Sequence, residues 1–482
     1  MMDLRPVGYI IGLLSAVLGL AMLIPAAVDY AAGDDNWYAF VESAIICMTV
    51  GGLLALAARD GLRHTLSLPQ SFVLTSFVWA SLPGFGALPM IIGAPGLGFT
   101  DAYFEAMSGL TTTGTTVIPE LDALPAGTNL WRAILQWLGG LGIIIVAMIF
   151  LPVMRVGGMQ FFRSEGFDTL GKILPRAMDI STALIRVYIG LTAACALTYA
   201  ALGMTAFDAI VHALTTLSTG GFSNYDASFG AYKGAPEYAA SVFMLLAAMP
   251  FIRFVQLAQG SVGPIWRDPQ VRAFLRWHLY AIAIIVAYRL IRHEAEFWGT
   301  LREVTFNVVS TFTGTGYASE DITKWGHLAF VVLILTGLIG GCTSSTGCSV
   351  KVFRYLILFS AIRAQIRRMY SPHRLVRVRY AGRPVEEEVV NSVIAFFSLF
   401  ILTFGVLIVG LSLTGLETRT ALTAAWTAIA NVGPAWGPEV SGNGAIDAFP
   451  ASAKWLMSAG MFLGRLELMS VLVLLLPRFW RG

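Results

Sequence analysis

The chain has 482 residues, of which 56% are hydrophobic and only 13% charged, with a formal net charge of +3. A soluble domain carries roughly 25% charged residues, whereas apolar stretches of about 20 residues, each long enough to cross a bilayer as a helix, recur along this whole chain. The composition excludes an ordinary soluble fold and predicts an all-α polytopic membrane protein, and the small net charge points to no nucleic-acid partner. The four cysteines, Cys47, Cys195, Cys342 and Cys348, lack the companions of a metal site and read as small polarisable packing residues.

The first apolar run, 7–28, follows Arg5 and is too long for a typical signal-peptide core. It reads as an uncleaved helix, paired with a second at 37–58 across the acidic turn 29–35. Spans at 71–92 and 130–153 then flank a short segment, 99–117 (FTDAYFEAMSGLTTTGTTV). The pattern repeats: a span at 182–203, a short segment at 205–223 and a span at 236–258, then 274–293, 300–318 and the long apolar region 327–362. A span at 389–413, a short segment at 417–435 and a span at 452–477 complete it. Lys and Arg cluster in alternate loops, at Arg59 and Arg63, at Arg155, Arg163, Lys172 and Arg176, and at Arg267, Arg272 and Arg276. The last cluster is Arg363, Arg367, Arg368, Arg374, Arg377, Arg379 and Arg383. The positive-inside rule puts these loops and both termini in the cytoplasm, with ten spans and all four short segments on the outer side. Arg289 and Arg292 break the rule locally.

The short segments align on one glycine each: Gly114, Gly221, Gly316 and Gly433. Thirteen residues earlier stand Asp101, Asp208, Glu303 and Thr420, suited to a helix N-terminus; six earlier a hydroxyl recurs at Ser108, Thr215, Ser310 and Thr427. A period near one hundred residues reads as span, short helix, polar turn, span. One such unit cannot enclose a pore, but four around an axis can. Their C-terminal helix ends would then favour a cation, with backbone carbonyls replacing its hydration shell. Taken singly, each turn is equally a helix C-cap with glycine in the left-handed position.

The segments SGLTTTGTTV, STGGFSNYDAS, TFTGTGYAS and ANVGP, with WRAILQWLGGLGIIIVAMIFLPVMRVGGMQ, GGCTSSTGCSVKVFRY and GRLELMSVLVLLLPRFW, resemble the Trk/Ktr/HKT superfamily of potassium transporters. The likeness is strongest to the TrkH/TrkG membrane subunits of bacterial Trk uptake systems. The resemblance implies four pseudo-symmetric repeats, 65–176, 177–270, 271–384 and 385–482, around one pore, behind a two-helix extension, 1–64. It implies a filter of Thr112, Thr113, Gly114, Thr219, Gly220, Gly221, Gly314, Thr315, Gly316, Asn431, Val432 and Gly433 holding K⁺ ions, with no covalently bound cofactor. It further implies a homodimer in the inner membrane, gated by a cytosolic TrkA-type regulator through which nucleotide acts. The fourth repeat departs from the pattern, lacking an acid at 420 and carrying Pro434, and Gly314 takes the place held by Thr112 and Thr219.

Residues 336–350 (TGLIGGCTSSTGCSV) weigh against a continuous helix. By resemblance they form an intramembrane gate loop, with Gly340, Gly341, Thr343, Ser344, Ser345, Thr346 and Gly347. A packing kink is the plainer alternative, and a phosphate loop fails because Cys348 stands where a lysine is required. Arg465, inside the last span, is expected to face the pore; pairing with Glu467, two residues on, is weak on a helix. Asp122, Asp226, Glu320, Asp321 and Glu439 follow the turns and together would concentrate cations, though each taken singly reads more plainly as a solvated loop acid. The basic run from Arg363 to Arg383 suits the regulator or anionic lipid. His212 is the best proton carrier for a rival reading, K⁺ symport with H⁺ or Na⁺, though an interior histidine with satisfied ring nitrogens is the plainer reading. No nucleophile–base set suggests an enzyme.

Overall fold

The computed structural model describes residues 2–60, 66–149, 177–293, 296–371 and 376–481, with Met154, Met159 and His373 besides. The basic segment with Arg155, Arg163, Lys172 and Arg176, together with Arg63 and Arg374, lies outside the described residues. Among those described, seven helices are long and apolar enough to cross a membrane, or nine if two bent pairs each count as one span. The predicted spans at 236–258 and 452–477 are these pairs: Ala235–Ala247 with Phe251–Ala258 bends by 94°, and Ala451–Arg465 with Leu468–Leu475 by 109°. Hydropathy is blind to such bends. Pro250, with no N–H to donate, stands at the first; Glu467, at φ +64°, turns the second. The region 327–362 is likewise split, into His327–Ile339 and Val352–Tyr370. The only strands among the described residues form a two-residue hairpin, Arg379–Tyr380 with Arg383–Pro384.

The N-terminal pair is tied to the rest by its acidic turn. Asp29 is fully buried and accepts from the Gly127 N–H in the first turn of helix Ala126–Ile149, and from Asn36 Nδ2 at 2.9 Å. A carboxylate at that helix end satisfies a free amide and complements the dipole. Asn36 Oδ1 in turn accepts the Ala94 N–H at 2.8 Å.

Four short helices dip between the spans: Phe99–Leu110, Ala206–Leu217, Phe297–Thr313 and Thr418–Ala430. The acids predicted to start them divide. Asp101 lies in its helix's first turn and pairs with Lys454 at 2.7 Å. Asp208 also lies in the first turn, where its N–H is capped by Thr205 Oγ1 at 3.1 Å. Glu303 is not at an N-terminus, because the third helix begins at Phe297, almost two turns earlier. Instead it holds Arg289 at 2.8 Å, which accounts for a charge that seemed misplaced by the positive-inside rule. The fourth helix, without an acid at 420, borrows Glu439 from the following loop: Glu439 accepts from Thr420 Oγ1 and from the Glu417 N–H. The largest apolar clusters straddle repeat boundaries, one joining the second and third repeats and another the first and fourth.

Candidate functional site

Each short helix ends in the same backbone sequence. The amide just before the filter glycine bonds the carbonyl five residues back: Thr113 to Ser108 (2.8 Å), Gly220 to Thr215 (2.9 Å), Thr315 to Ser310 (2.9 Å) and Val432 to Thr427 (3.3 Å). Two residues before the glycine the chain is left-handed, at Thr112 (φ +53°), Thr219 (+51°), Gly314 (+82°) and Asn431 (+51°). Gly314 and Asn431 are the C-caps of their helices, and Thr112 and Thr219 directly follow theirs, Thr111 and Ser218, so the first left-handed position falls at or just after the helix end and before the aligned glycines. The glycines are a second left-handed position, at φ +89°, +74°, +81° and +108°. Gly314 therefore preserves without strain the conformation that the β-branched Thr112 and Thr219 adopt at a cost, and that Asn431 tolerates.

The glycines also close a ring. A Cβ on Gly114 would overlap the Gly220 carbonyl oxygen, one on Gly221 that of Thr315, and one on Gly316 that of Val432; one on Gly433 would stand 2.8 Å from Thr113 O. Each glycine thus abuts the carbonyl before the next repeat's glycine, in chain order, and the fourth returns to the first. Of the twelve residues expected in the filter, eight make these contacts, Thr113, Gly114, Gly220, Gly221, Thr315, Gly316, Val432 and Gly433, and Thr112, Thr219, Gly314 and Asn431 directly precede them in the chain. The short helices' carboxyl ends converge on the ring, a partly negative environment that suits a cation.

The recurring hydroxyls serve the turns in three ways. In the first and third repeats, Ser108 and Ser310 donate to the carbonyl after the glycine, Thr115 O at 2.6 Å and Tyr317 O at 2.8 Å. In the fourth, Thr427 Oγ1 accepts the Gly433 N–H at 2.7 Å. In the second, Thr215 Oγ1 lies 2.5 Å from Tyr317 Oη, joining two repeats.

Three buttresses stand behind the ring; Gln136 and the Arg132–Glu105 pair were missed in the sequence, and the third is the side chain of Asn431, a residue expected there only for its backbone. Gln136, fully buried, donates from Nε2 to Gly220 O at 2.7 Å and accepts the Phe222 N–H at 3.1 Å. Arg132 and Glu105, both buried, pair at 2.8 Å; Glu105 accepts the Val117 N–H and Arg132 Nη1 reaches Ser223 O at 3.1 Å. Asn431 Nδ2 donates to Thr113 Oγ1 at 2.9 Å, across the seam between the fourth and first repeats. The available signal was a lone amide or ion pair among apolar residues, expensive there unless it is used.

Outside the ring lies a vestibule of about 920 Å³, lined by the four filter glycines and by Asp226, Glu320 and Asp321. Asp122 and Glu439 do not line it. Its acids are partly neutralised, Glu320 by Lys233 and Asp321 by Lys324 at 3.4 Å.

Inside the ring, residues 340–350 form a buried turn. It is held by the bend of the second repeat: the Cys342 and Thr346 amides donate to Ala248 O (2.9 Å) and Ala247 O (3.3 Å), and the Phe251 amide donates to Ser344 O (2.9 Å). Gln270 clasps Thr343. Gly341 and Gly347 touch, leaving no room for a side chain on either. Cys348 reaches up to the ring, with Sγ 3.7 Å from Thr112 Oγ1. Arg465 lies under it, Nη1 donating to Thr346 O at 3.2 Å and to Cys348 Sγ at 2.6 Å. Glu467 pairs elsewhere, with the fully buried Arg354. His212 is satisfied at both ring nitrogens, Nδ1 with Asp208 O and Nε2 with Ser223 Oγ.

Four short helices ending at one ring of turns, set among membrane-spanning and broken helices, define the class, an all-helical multi-span membrane protein. The TrkH family model, described as a cation transport protein, matches residues 37–288 and 296–481, and the chain belongs to this family of transporters. It is similar to the Trk system potassium uptake protein TrkI of Halomonas elongata, 40% identical over 99% of this chain and 97% of that protein. It is also similar to TrkH of Escherichia coli K12, 34% identical over 100% of both. The crystal structure of the potassium transporter TrkH from Vibrio parahaemolyticus matches with a TM-score of 0.92 at 34% identity, covering 100% of each chain.

Proposed function

We propose that this chain carries K⁺ into the cell as the membrane subunit of a Trk system, through one filter made by the four turns. The observation that carries this reading is the closed glycine–carbonyl ring at the carboxyl ends of the short helices. The proposed ion-facing residues are the twelve of the ring. Loop 340–350 is the gate, and Arg465, bonded to it, places a positive charge in the path while the loop is seated. The driving force is the membrane potential, about 2.3 kcal/mol per charge per 100 mV. Both termini are cytoplasmic, the assembly is a homodimer, and a TrkA-type regulator acting on the inner face moves the loop.

The test is ⁸⁶Rb⁺ uptake into proteoliposomes with K⁺ and Na⁺ as competitors, for wild type and Gly316→Ser. K⁺ competing far better than Na⁺ in wild type, and less so in the variant, is expected. Equal competition in wild type removes the potassium reading, and uptake that requires a proton gradient replaces it with symport. Deleting residues from 340–347 is expected to raise flux; a folded deletion without higher flux removes the gate.

A further inference from the structure

Cys348 sits at the one point where ring, loop and Arg465 meet, yet ion conduction gives no role to its sulfur. Its Sγ lies 2.6 Å from Arg465 Nη1 and 3.7 Å from Thr112 Oγ1. Arg465 is only 4% exposed, but its Nε and Nη2 have no hydrogen-bond partner among the described residues. Buried donors left empty are costly, and those on a charged group more so. A guanidinium beside a sulfur, with Nε and Nη2 unpaired among the described residues, is suited to an oxygen attached to that sulfur, since charged donors make the stronger hydrogen bonds. Among the described residues, no other cysteine has a guanidinium on its sulfur: Cys47 reaches only Phe85 O, at 3.9 Å, and Cys195 and Cys342 are packed in the apolar core.

We propose that Cys348 is an oxidation site at which a peroxide fastens the gate shut; this rests on the reading of loop 340–350 as the gate. The thiol sulfur attacks one peroxide oxygen, the O–O bond breaks, an S–O bond forms, and the other oxygen leaves as water with the thiol proton. Sulfur is oxidised to the sulfenic acid and the peroxide is reduced, the first and reversible step of cysteine oxidation. The new oxygen takes these Arg465 donors, adding a tie between loop and last helix beneath Thr112. Hydrogen peroxide, little larger than water, reaches the sulfur along the ion's path whenever the loop lifts.

The experiment uses the full chain in proteoliposomes with hydrogen peroxide as the oxidant. ⁸⁶Rb⁺ flux is read for wild type, Cys348→Ser and Cys342→Ser, each against its own reduced sample, and dimedone adducts are mapped by peptide mass. Expected are a several-fold loss of flux in wild type and Cys342→Ser, recovery with dithiothreitol, no change in Cys348→Ser, and an adduct on Cys348. Absence of that adduct in wild type overturns the proposal even if Cys348→Ser does not fold. Equal loss in Cys348→Ser, or an adduct without loss of flux, also overturns it. The deletion within 340–347 separates the two readings: if it raises flux while peroxide has no Cys348-dependent effect, only the oxidation site falls. If it leaves flux unchanged, the gate falls.

Discussion

Gln136→Leu removes one buttress of the ring with little change in volume. The amide serves two backbone groups of the second turn, Gly220 O at 2.7 Å and the Phe222 N–H at 3.1 Å, and no water reaches the fully buried side chain. Each buried group left unpaired costs about 1–3 kcal/mol, so the pair costs roughly 2–6 kcal/mol before the turn relaxes. Relaxation means rotating the Gly220 peptide, whose oxygen abuts Gly114 of the first repeat, so the distortion enters the ring. If about 1.4 kcal/mol of it appears as lost discrimination between K⁺ and Na⁺, the ratio falls about tenfold. Competition by K⁺ and Na⁺ against ⁸⁶Rb⁺ uptake measures that ratio, and thermal unfolding in detergent measures the stability loss. A Gln136→Leu protein with wild-type unfolding temperature and unchanged competition would refute the claim that this amide shapes the turn.

Alanine substitutions should rank the four quarters. Gly316→Ala, whose Cβ would overlap Val432 O, should abolish selective flux, while Gly433→Ala, with 2.8 Å to Thr113 O, should retain the most; the same competition assay checks the order. Asp29→Ala leaves the Gly127 amide and Asn36 without their acceptor and should lower stability by about 1–3 kcal/mol, with little effect on competition by Na⁺, as thermal unfolding and uptake would show. Glu467→Gln breaks the buried pair with Arg354 and should cost about 3–5 kcal/mol, whereas replacing both residues by Met should recover much of it, read as yield and unfolding temperature.

The four turns were legible because they repeat: one hydroxyl-rich glycine turn reads as a helix cap, and four in register between apolar spans read as one shared site. The alignment set Gly314 where Thr112 and Thr219 stand, but the left-handed conformation shared by these residues and Asn431 was illegible, since it lies in φ and not in side-chain chemistry. The bends at Pro250 and Glu467 were hidden because apolar composition continues across them. Glu303 misled for a related reason: counting back from the glycine fixes the helix's end, not its start. Gln136 and Asn431 act across repeats, and nothing in a linear pattern says which distant carbonyl or hydroxyl such a group will meet. Arg465 was legible as an intramembrane charge, but its partner was not, because Cys348 read as a packing residue.

The ring of glycines and carbonyls has a consequence for the order of assembly. Its contacts run from each repeat to the next and then from Gly433 back to Thr113, so two of the four joints can form before the fourth turn emerges, and the other two, at Val432 and Gly433, form only with it. Until residue 433 is inserted, the first turn lacks the neighbour that limits its width, and Thr113 and Thr115 lack the Asn431 and Gly433 partners that hold them in the finished protein. The spacing of the four turns is therefore undefined during synthesis and set late, when the fourth turn joins both the third and the first. A nascent chain halted before the fourth repeat carries an open seam. Pairs of substitutions that compensate one another should be sought between consecutive repeats, or between the first and the fourth.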